Sequence, residues 1–319
     1  MRISVLLLFL ALLPSAHGAD LNEATQLYGR GEFGKAANLL MQLRGASPAE
    51  ADIRLWLGRS YLKIRQWDNA VREIEKAVQL QPSNARYHLW LGRAYGARAS
   101  HTFFAMALRW ARRVGKEFET ARSLDPKDLD VRFDLLEFYL NAPGIVGGGK
   151  DKAEAEGRAI SQIDPAKGYT ARAIIYQKNK NWDLAKKELI QATVEFPKYA
   201  DAYGDLADYL LDRKDFEGAL SNAKKALMLN SDSKHARFLV AASQIQLRTN
   251  LDQAADDLRE LSTGTLSEEE DPPFEEVYYW LGQCYLAKGD KVKAREAFEV
   301  ALAINADYAD AKEGISGLK

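Results

Sequence analysis

Cysteine is nearly absent: the 319-residue chain has one, Cys284. A lone thiol cannot close an intramolecular disulfide and cannot build a multi-cysteine metal site. Its apolar neighbourhood predicts a small packed side chain. Histidine is scarce as well. Beyond residue 18 only His88, His101 and His235 remain, without ligand partners at helical spacing. HExxH and GxSxG are both missing, and catalysis needs a convergent set of groups. The reading is therefore no enzyme, no cofactor and no metal. Net charge is lacking too, with 44 basic against 45 acidic residues. A general nucleic-acid binder needs an excess of positive charge to displace counterions from phosphate, so nucleic acid is excluded as a partner. Sustained apolar–polar alternation is absent, which excludes a sheet. No Asn-x-Ser/Thr sequon follows residue 18, which favours a bacterial over a eukaryotic secretory source.

Long apolar runs are confined to the start. Residues 1–18 read as a secretory signal peptide: Arg2, then Val5 to Leu13 without a polar residue, then Pro14. Ala16 and Gly18 supply the small pair that predicts a cut before Ala19. The run is too short for a permanent anchor. No cysteine follows the cut, so a lipoprotein anchor has no attachment site, and no later stretch is apolar enough to cross a membrane. The expectation is export, to a bacterial periplasm.

What the chain has in abundance is repetition. Residues 51–84 read as two amphipathic helices. Leu57, Gly58 and Tyr61 share one face of the first, and Ala70, Ile74 and Ala77 one face of the second. Gln66 to Asp68 break the period and Pro82 stops it. The motif LWLGRSY at 55–61 returns as LWLGRAY at 89–95, a shift of 34 residues. A period of that length signals a solenoid. Gly58, Ala70 and Ala77 are small enough to let two helix backbones approach, and Tyr61 and Ile74 fill the gaps.

This unit resembles the tetratricopeptide repeat (TPR), whose signature positions are occupied by Leu57, Gly58, Tyr61, Ala70, Ile74, Ala77 and Pro82. The resemblance implies an all-α, right-handed α-solenoid of about eight TPR helix pairs in one domain, 19–319. The repeats fall at 19–50, 51–84, 85–128, 129–167, 166–199, 200–233, 235–268 and 275–308, with a capping half-repeat at 309–319. Asp20 is expected to cap the first helix. Phe33, Trp67, Trp182 and Phe216 are expected to open second helices, where the family has aromatics. Repeats three and four carry insertions. The third has ten extra residues within GARASHTFFAMALRWARR, free of proline, which predicts helical extension. The fourth has five, within NAPGIVGGGKDK, where Pro143 and four glycines forbid regular helix. Because the insertions are neighbours, Ile145 and Val146 are expected to pack onto the segment Phe103, Phe104, Arg109, Trp110, making a basic, aromatic-edged shelf.

In this family the first helices line a concave groove that binds protein or peptide. The groove positions here are Leu55, Arg59, Lys63, Arg86, Leu89, Arg93, Phe133 and Glu137 in repeats two to four, then Asp201, Asp205, Asp208 and Asp212 in repeat six. They predict a groove that is basic with an apolar stripe in its N-terminal half and acidic further on. Arg59 and Arg93, at the same repeat position, are expected to face it one above the other. The family's carboxylate-clamping members need Lys and Asn where this chain has Leu55 and Arg59, so that activity is not implied.

Two other readings stay open. Trp56, Trp90 and Trp280 could stack sugars in a carbohydrate-binding or polymer-export accessory protein, although packing is the plainer role. Gly144 to Lys150 satisfies GxxxxGK, and its glycine amides could hold an anion in an enzyme. Asp151 stands where Mg²⁺ binding would need Ser or Thr, and no strand precedes the loop, so an NTPase site fails twice.

Overall fold

A computed structural model of the chain describes residues 16–267 and 271–318. Residues 1–15, most of the expected signal peptide, lie outside the described residues, as do Glu268 to Glu270 of the acidic SEEEDPP joint. The described residues hold seventeen α-helices and no strand. The first helices of successive pairs are α1 (Ala16–Gly29), α3 (Ala51–Lys63), α5 (Ala85–Ser100), α7 (Leu129–Asn141), α9 (Pro165–Lys178), α11 (Ala200–Asp212), α13 (Lys234–Leu247) and α15 (Phe274–Ala287). Their partners are α2 (Phe33–Ala46), α4 (Trp67–Leu80), α6 (Phe104–Leu124), α8 (Lys150–Ile163), α10 (Trp182–Glu195), α12 (Phe216–Leu229), α14 (Leu251–Thr263) and α16 (Lys291–Ile304). A last helix, α17 (Ala309–Ser316), packs on α15 and α16. Helix α1 runs through the expected cut, so in the uncut chain Asp20 sits inside the helix.

The small residues do what their size permits. A Cβ on Gly58 would overlap Ile74, and one on Gly92 or Gly282 would overlap Phe118 or Phe298. Each glycine thus seats a large residue of its partner helix. The four aromatics expected to open second helices do so: Phe33, Trp67, Trp182 and Phe216 are the first residues of α2, α4, α10 and α12.

Neighbouring pairs are locked by a recurring polar device. Arg54 Nε donates to the Pro48 carbonyl at 3.0 Å and Arg132 Nε to that of Pro126 at 2.9 Å. His88 Nε2 lies 2.9 Å from the Pro82 carbonyl, and Tyr203 Oη donates to that of Pro197 at 3.3 Å. Each bond ties the start of a first helix to the proline turn before it, satisfying a carbonyl left over at a helix end. The arginines also share carboxylates. Glu73 accepts from Arg44 at 2.6 Å and Arg54 at 2.8 Å, and Glu156 from Arg122 at 2.5 Å and Arg132 at 2.7 Å.

First helices of adjacent pairs touch from α7 through α17, and α3 touches both α1 and α5, while second helices make no comparable contact with each other. The first helices are therefore the inner layer of a curved stack and the second helices the splayed outer one. Curvature brings the ends of the stack together. The Leu266 N–H donates to the Gly29 carbonyl at 2.7 Å. The Phe274 ring packs under Gly31 and edge-on to Phe33, 6.5 Å between centroids. Arg65 pairs with Asp307 and reaches Asn305 at 3.4 Å. One hydrophobic cluster consequently joins Ala24, Leu40 and Leu57 to Leu239, Leu258 and Val277. Nothing in a 34-residue period announces this closure.

Candidate functional site

The C-terminal half of the inner layer gathers charge from four first helices. Lys167 of α9 reaches Asp201 at 3.1 Å and Asp205 at 3.6 Å, both on α11. Thr170 Oγ1 donates to Asp205 at 2.5 Å. His235 of α13 pairs through Nε2 with Asp208 of α11 at 2.8 Å. Asp212 is exposed at the far end of α11. Glu276 of α15 completes the group. Burial, followed by repulsion from Asp208, pushes its carboxyl up to about 7, and His235 offsets only part of this. Burial opposes charge on His235, yet the Asp208 hydrogen bond and the surrounding carboxylates hold its pKa above the usual value. Burial also raises the Asp205 and Asp212 carboxyls. Asp201, Asp205, Asp208, Asp212 and Glu276 thus outnumber Lys167 and His235, on a face whose Glu276 readily takes up a proton.

Sequence reasoning named the four aspartates and missed Lys167, His235 and Glu276. His235 was read as lacking a partner because no acid stands at helical spacing within its own helix. Its partner comes from the preceding pair. The period alone does not find it: Asp208 precedes His235 by 27 residues, short of the 34-residue repeat.

The N-terminal half departs from expectation. Leu55 and Leu89 are buried in the cluster around Ile74 and Tyr87 and leave no apolar stripe. Arg59 is 2 % exposed. Its guanidinium lies between the rings of Trp56, at 4.0 Å, and Trp90, at 4.1 Å. Arg93 covers the same Trp90 at 4.8 Å and pairs with Asp134 of α7 at 2.7 Å. The two arginines do stack through one indole, but Arg59 is sealed and Arg93 is neutralised. Lys63 is half-buried beside Phe33, Phe133 is half-buried against Leu136 and Ile160, and Arg86 and Glu137 are exposed. Trp90 is buried and Trp56 and Trp280 are half-buried, so these three form no open aromatic row for a sugar.

The insertions also part company. Helical extension is present: α5 and α6 have 16 and 21 residues, against 13 and 14 in α3 and α4. The second insertion contains a single 3-10 turn, Gly144–Val146, lying against α6. Val146 is buried, but Ile145 is 69 % exposed, Phe103 82 % and Phe104 75 %. The expected mutual burial therefore fails for these three. Phe138 explains why: it contacts both Gly115 and Gly147, so the turn meets α6 near residue 115. That is about 16 Å down the helix from Phe104, at 1.5 Å per residue. Trp110 is half-buried against Tyr95 at 5.3 Å, with Arg113 over both rings, and Arg109 is exposed.

The glycine amides are spent inside the loop. The Gly147, Gly148 and Gly149 N–H groups donate to the carbonyls of Gly144, Pro143 and Tyr139 at 3.0, 3.3 and 2.9 Å. Gly147 has φ +108°, and a Cβ on Gly148 would collide with the Ala142 carbonyl. Glycine is required here by backbone geometry, and the loop presents no amide cradle to an anion.

Sequence profiles described as tetratricopeptide repeat match residues 27–95, 170–234 and 275–308. No curated protein matches the chain in sequence. The fold is similar to the crystal structure of yeast Tom70, with TM-score 0.61 and 18 % identity over 99 % of this chain. The match spans 66 % of that protein's length. It is also similar to a thermophilic TPR protein of Thermus thermophilus, with TM-score 0.50 and 21 % identity over 61 % of this chain and all of the other. Three profile matches spread along a stack of α-helix pairs lead to one conclusion: the chain is a tetratricopeptide-repeat protein.

Proposed function

We propose that the protein is an exported scaffold of the bacterial cell envelope, a periplasmic one, whose inner face binds an extended, lysine- or arginine-bearing segment of another protein. The observation that carries this is the acid-rich inner face of α11, α13 and α15, where Asp208, Asp212 and Glu276 face a shortage of cations. The N-terminal half contributes less than its residue types suggested, because its arginines already serve Trp56, Trp90 and Asp134. Export rests on the signal-like residues 1–18. Binding here is complementarity of shape and charge, with no bond made or broken.

The test is fluorescence anisotropy with a labelled Lys-Ala repeat peptide and its Glu-Ala counterpart. Preference for the lysine peptide should weaken with salt and fall at least tenfold in Asp208→Asn/Glu276→Gln. A cation beside Glu276 favours its ionised form, so affinity should also drop as pH falls below about 7. Equal binding of both peptides would refute the acidic face as the site. For export, N-terminal sequencing of envelope material should begin Ala-Asp-Leu, and retention of Met1 would refute processing.

A further inference from the structure

Between α5 and α6, His101 is anchored by stacking on Trp67 at 4.5 Å, but the start of α6 just beyond it has no such packing. The buried residues of α6 begin at Val114 and continue through Gly115, Phe118 and Ala121. Its first ten residues bury nothing completely, and at its start Phe103, just before the helix, and Phe104, its first residue, are 82 % and 75 % exposed. Met106, two residues further on, is also exposed. A helix extended only to strengthen its own repeat would turn these side chains inward.

The charges carried by the α5–α6 hairpin's own stretch of chain are of one sign. From Lys76 to Lys116 the chain has eight lysines or arginines and no aspartate or glutamate, inside a protein whose total charge is balanced. Arg93, Arg98 and Arg113 are matched by Asp134, Asp68 and Glu75 from other segments. Arg109, Arg112 and Lys116 are exposed, and no acid pairs with them among the described residues. At i, i+3 and i+7 they form one stripe leading back from the apolar tip.

We propose that this tip docks the protein on an anionic lipid surface. Phe103 immediately precedes α6 and Phe104 opens it, and both are largely exposed. A fluid hydrocarbon boundary accepts both without a shaped pocket. The cationic stripe then lies level with the headgroups, where basic side chains gain from lipid phosphates. The site is separate from the acidic inner face and does not depend on the groove reading.

A bimane probe on Thr102→Cys tests this, since Cys284, the protein's own thiol, is buried and slow to label. The full labelled chain is mixed with phosphatidylglycerol or phosphatidylcholine vesicles. A probe at residue 102 reports insertion of the tip itself, whatever residues 1–18 do. The expected result is a blue shift with phosphatidylglycerol alone. It should be lost in Phe103→Ser/Phe104→Ser and weakened at least tenfold in Arg109→Glu/Arg112→Glu, with helical circular dichroism unchanged. Asp208→Asn/Glu276→Gln should leave it intact. No shift, an equal shift with both lipids, or a shift that survives the Phe103/Phe104 variant would overturn the proposal. So would concentration-dependent self-association abolished by that variant, which would assign the tip to a second copy of the chain.

Discussion

Glu73 and Glu156 show how much a single buried carboxylate carries in this fold. Each holds two guanidinium groups from two adjacent repeats, with almost no water around the acid. Removing the acid leaves a largely buried arginine, Arg54 or Arg132, and a partly exposed one, Arg44 or Arg122, without their counter-charge. Glu156→Ala should therefore cost about 3–5 kcal/mol, the range for breaking a buried pair from one side, read as a lower urea midpoint. A loss under about 1 kcal/mol would show that the pair is solvated. Arg59 is the complementary case. Its cation is stabilised by the faces of Trp56 and Trp90, so Arg59→Glu should damage the fold itself and red-shift tryptophan emission. An unchanged fold with weakened peptide binding would restore it to the groove. Leu57, Gly58 and Ile74 were legible because their burial follows from the helical period. Arg59 was not, because the ring that seals it, Trp90, comes from the next repeat. A polar residue at an inner position reads the same whether it is open or covered.

Among the elements, the turns between paired helices use left-handed residues at equivalent places: Gly31, Arg65, Lys180, Lys214 and Gly289. Glycine has no Cβ penalty there, whereas lysine does. Lys180→Gly and Lys214→Gly should each raise stability by about 0.5–1 kcal/mol in thermal melts, after the entropy that glycine adds to the unfolded chain. A loss would mean that the lysine stems pack better than their exposure indicates. The glycine turn after α7 offers an internal control. Gly148→Ala would press on the Ala142 carbonyl, while Gly144→Ala meets open space. The first should destabilise clearly and the second hardly at all. The helical nature of the first insertion was legible from its lack of proline, and the irregularity of the second from its glycines. Where the two meet was not, because the length of α6 beyond the contact with Phe138 depends on how far the helix runs before its chain turns inward.

At the scale of the whole molecule, protonation of the cluster where α11, α13 and α15 meet favours the fold. Glu276 keeps its proton to about pH 7 when folded, against about 4.5 when unfolded. Its contribution is therefore full below about pH 4.5 and lost as pH rises to about 7. His235, also raised, adds a loss in the same direction above its unfolded value of 6.5. Glu276→Gln should gain on the parent by about 1–2 kcal/mol at pH 8, allowing for solvent at the edge of the cluster, and nothing at pH 4. Equal differences at both pH values would remove Glu276 as the titrating group. The curvature that assembles this cluster was implied by the repeat, but the meeting of the two ends was not. It depends on the sum of many small rotations and on the longer connection between α14 and α15. That meeting changes how the molecule bears load. A linear array unwinds repeat by repeat from a free end, because each unit leans only on its neighbours. Here Arg65 grips Asp307, 242 residues away, and Leu266 holds Gly29. Stretched between its ends, the protein should first show one brittle break that releases almost no chain, and only then lengthen in repeat-sized steps.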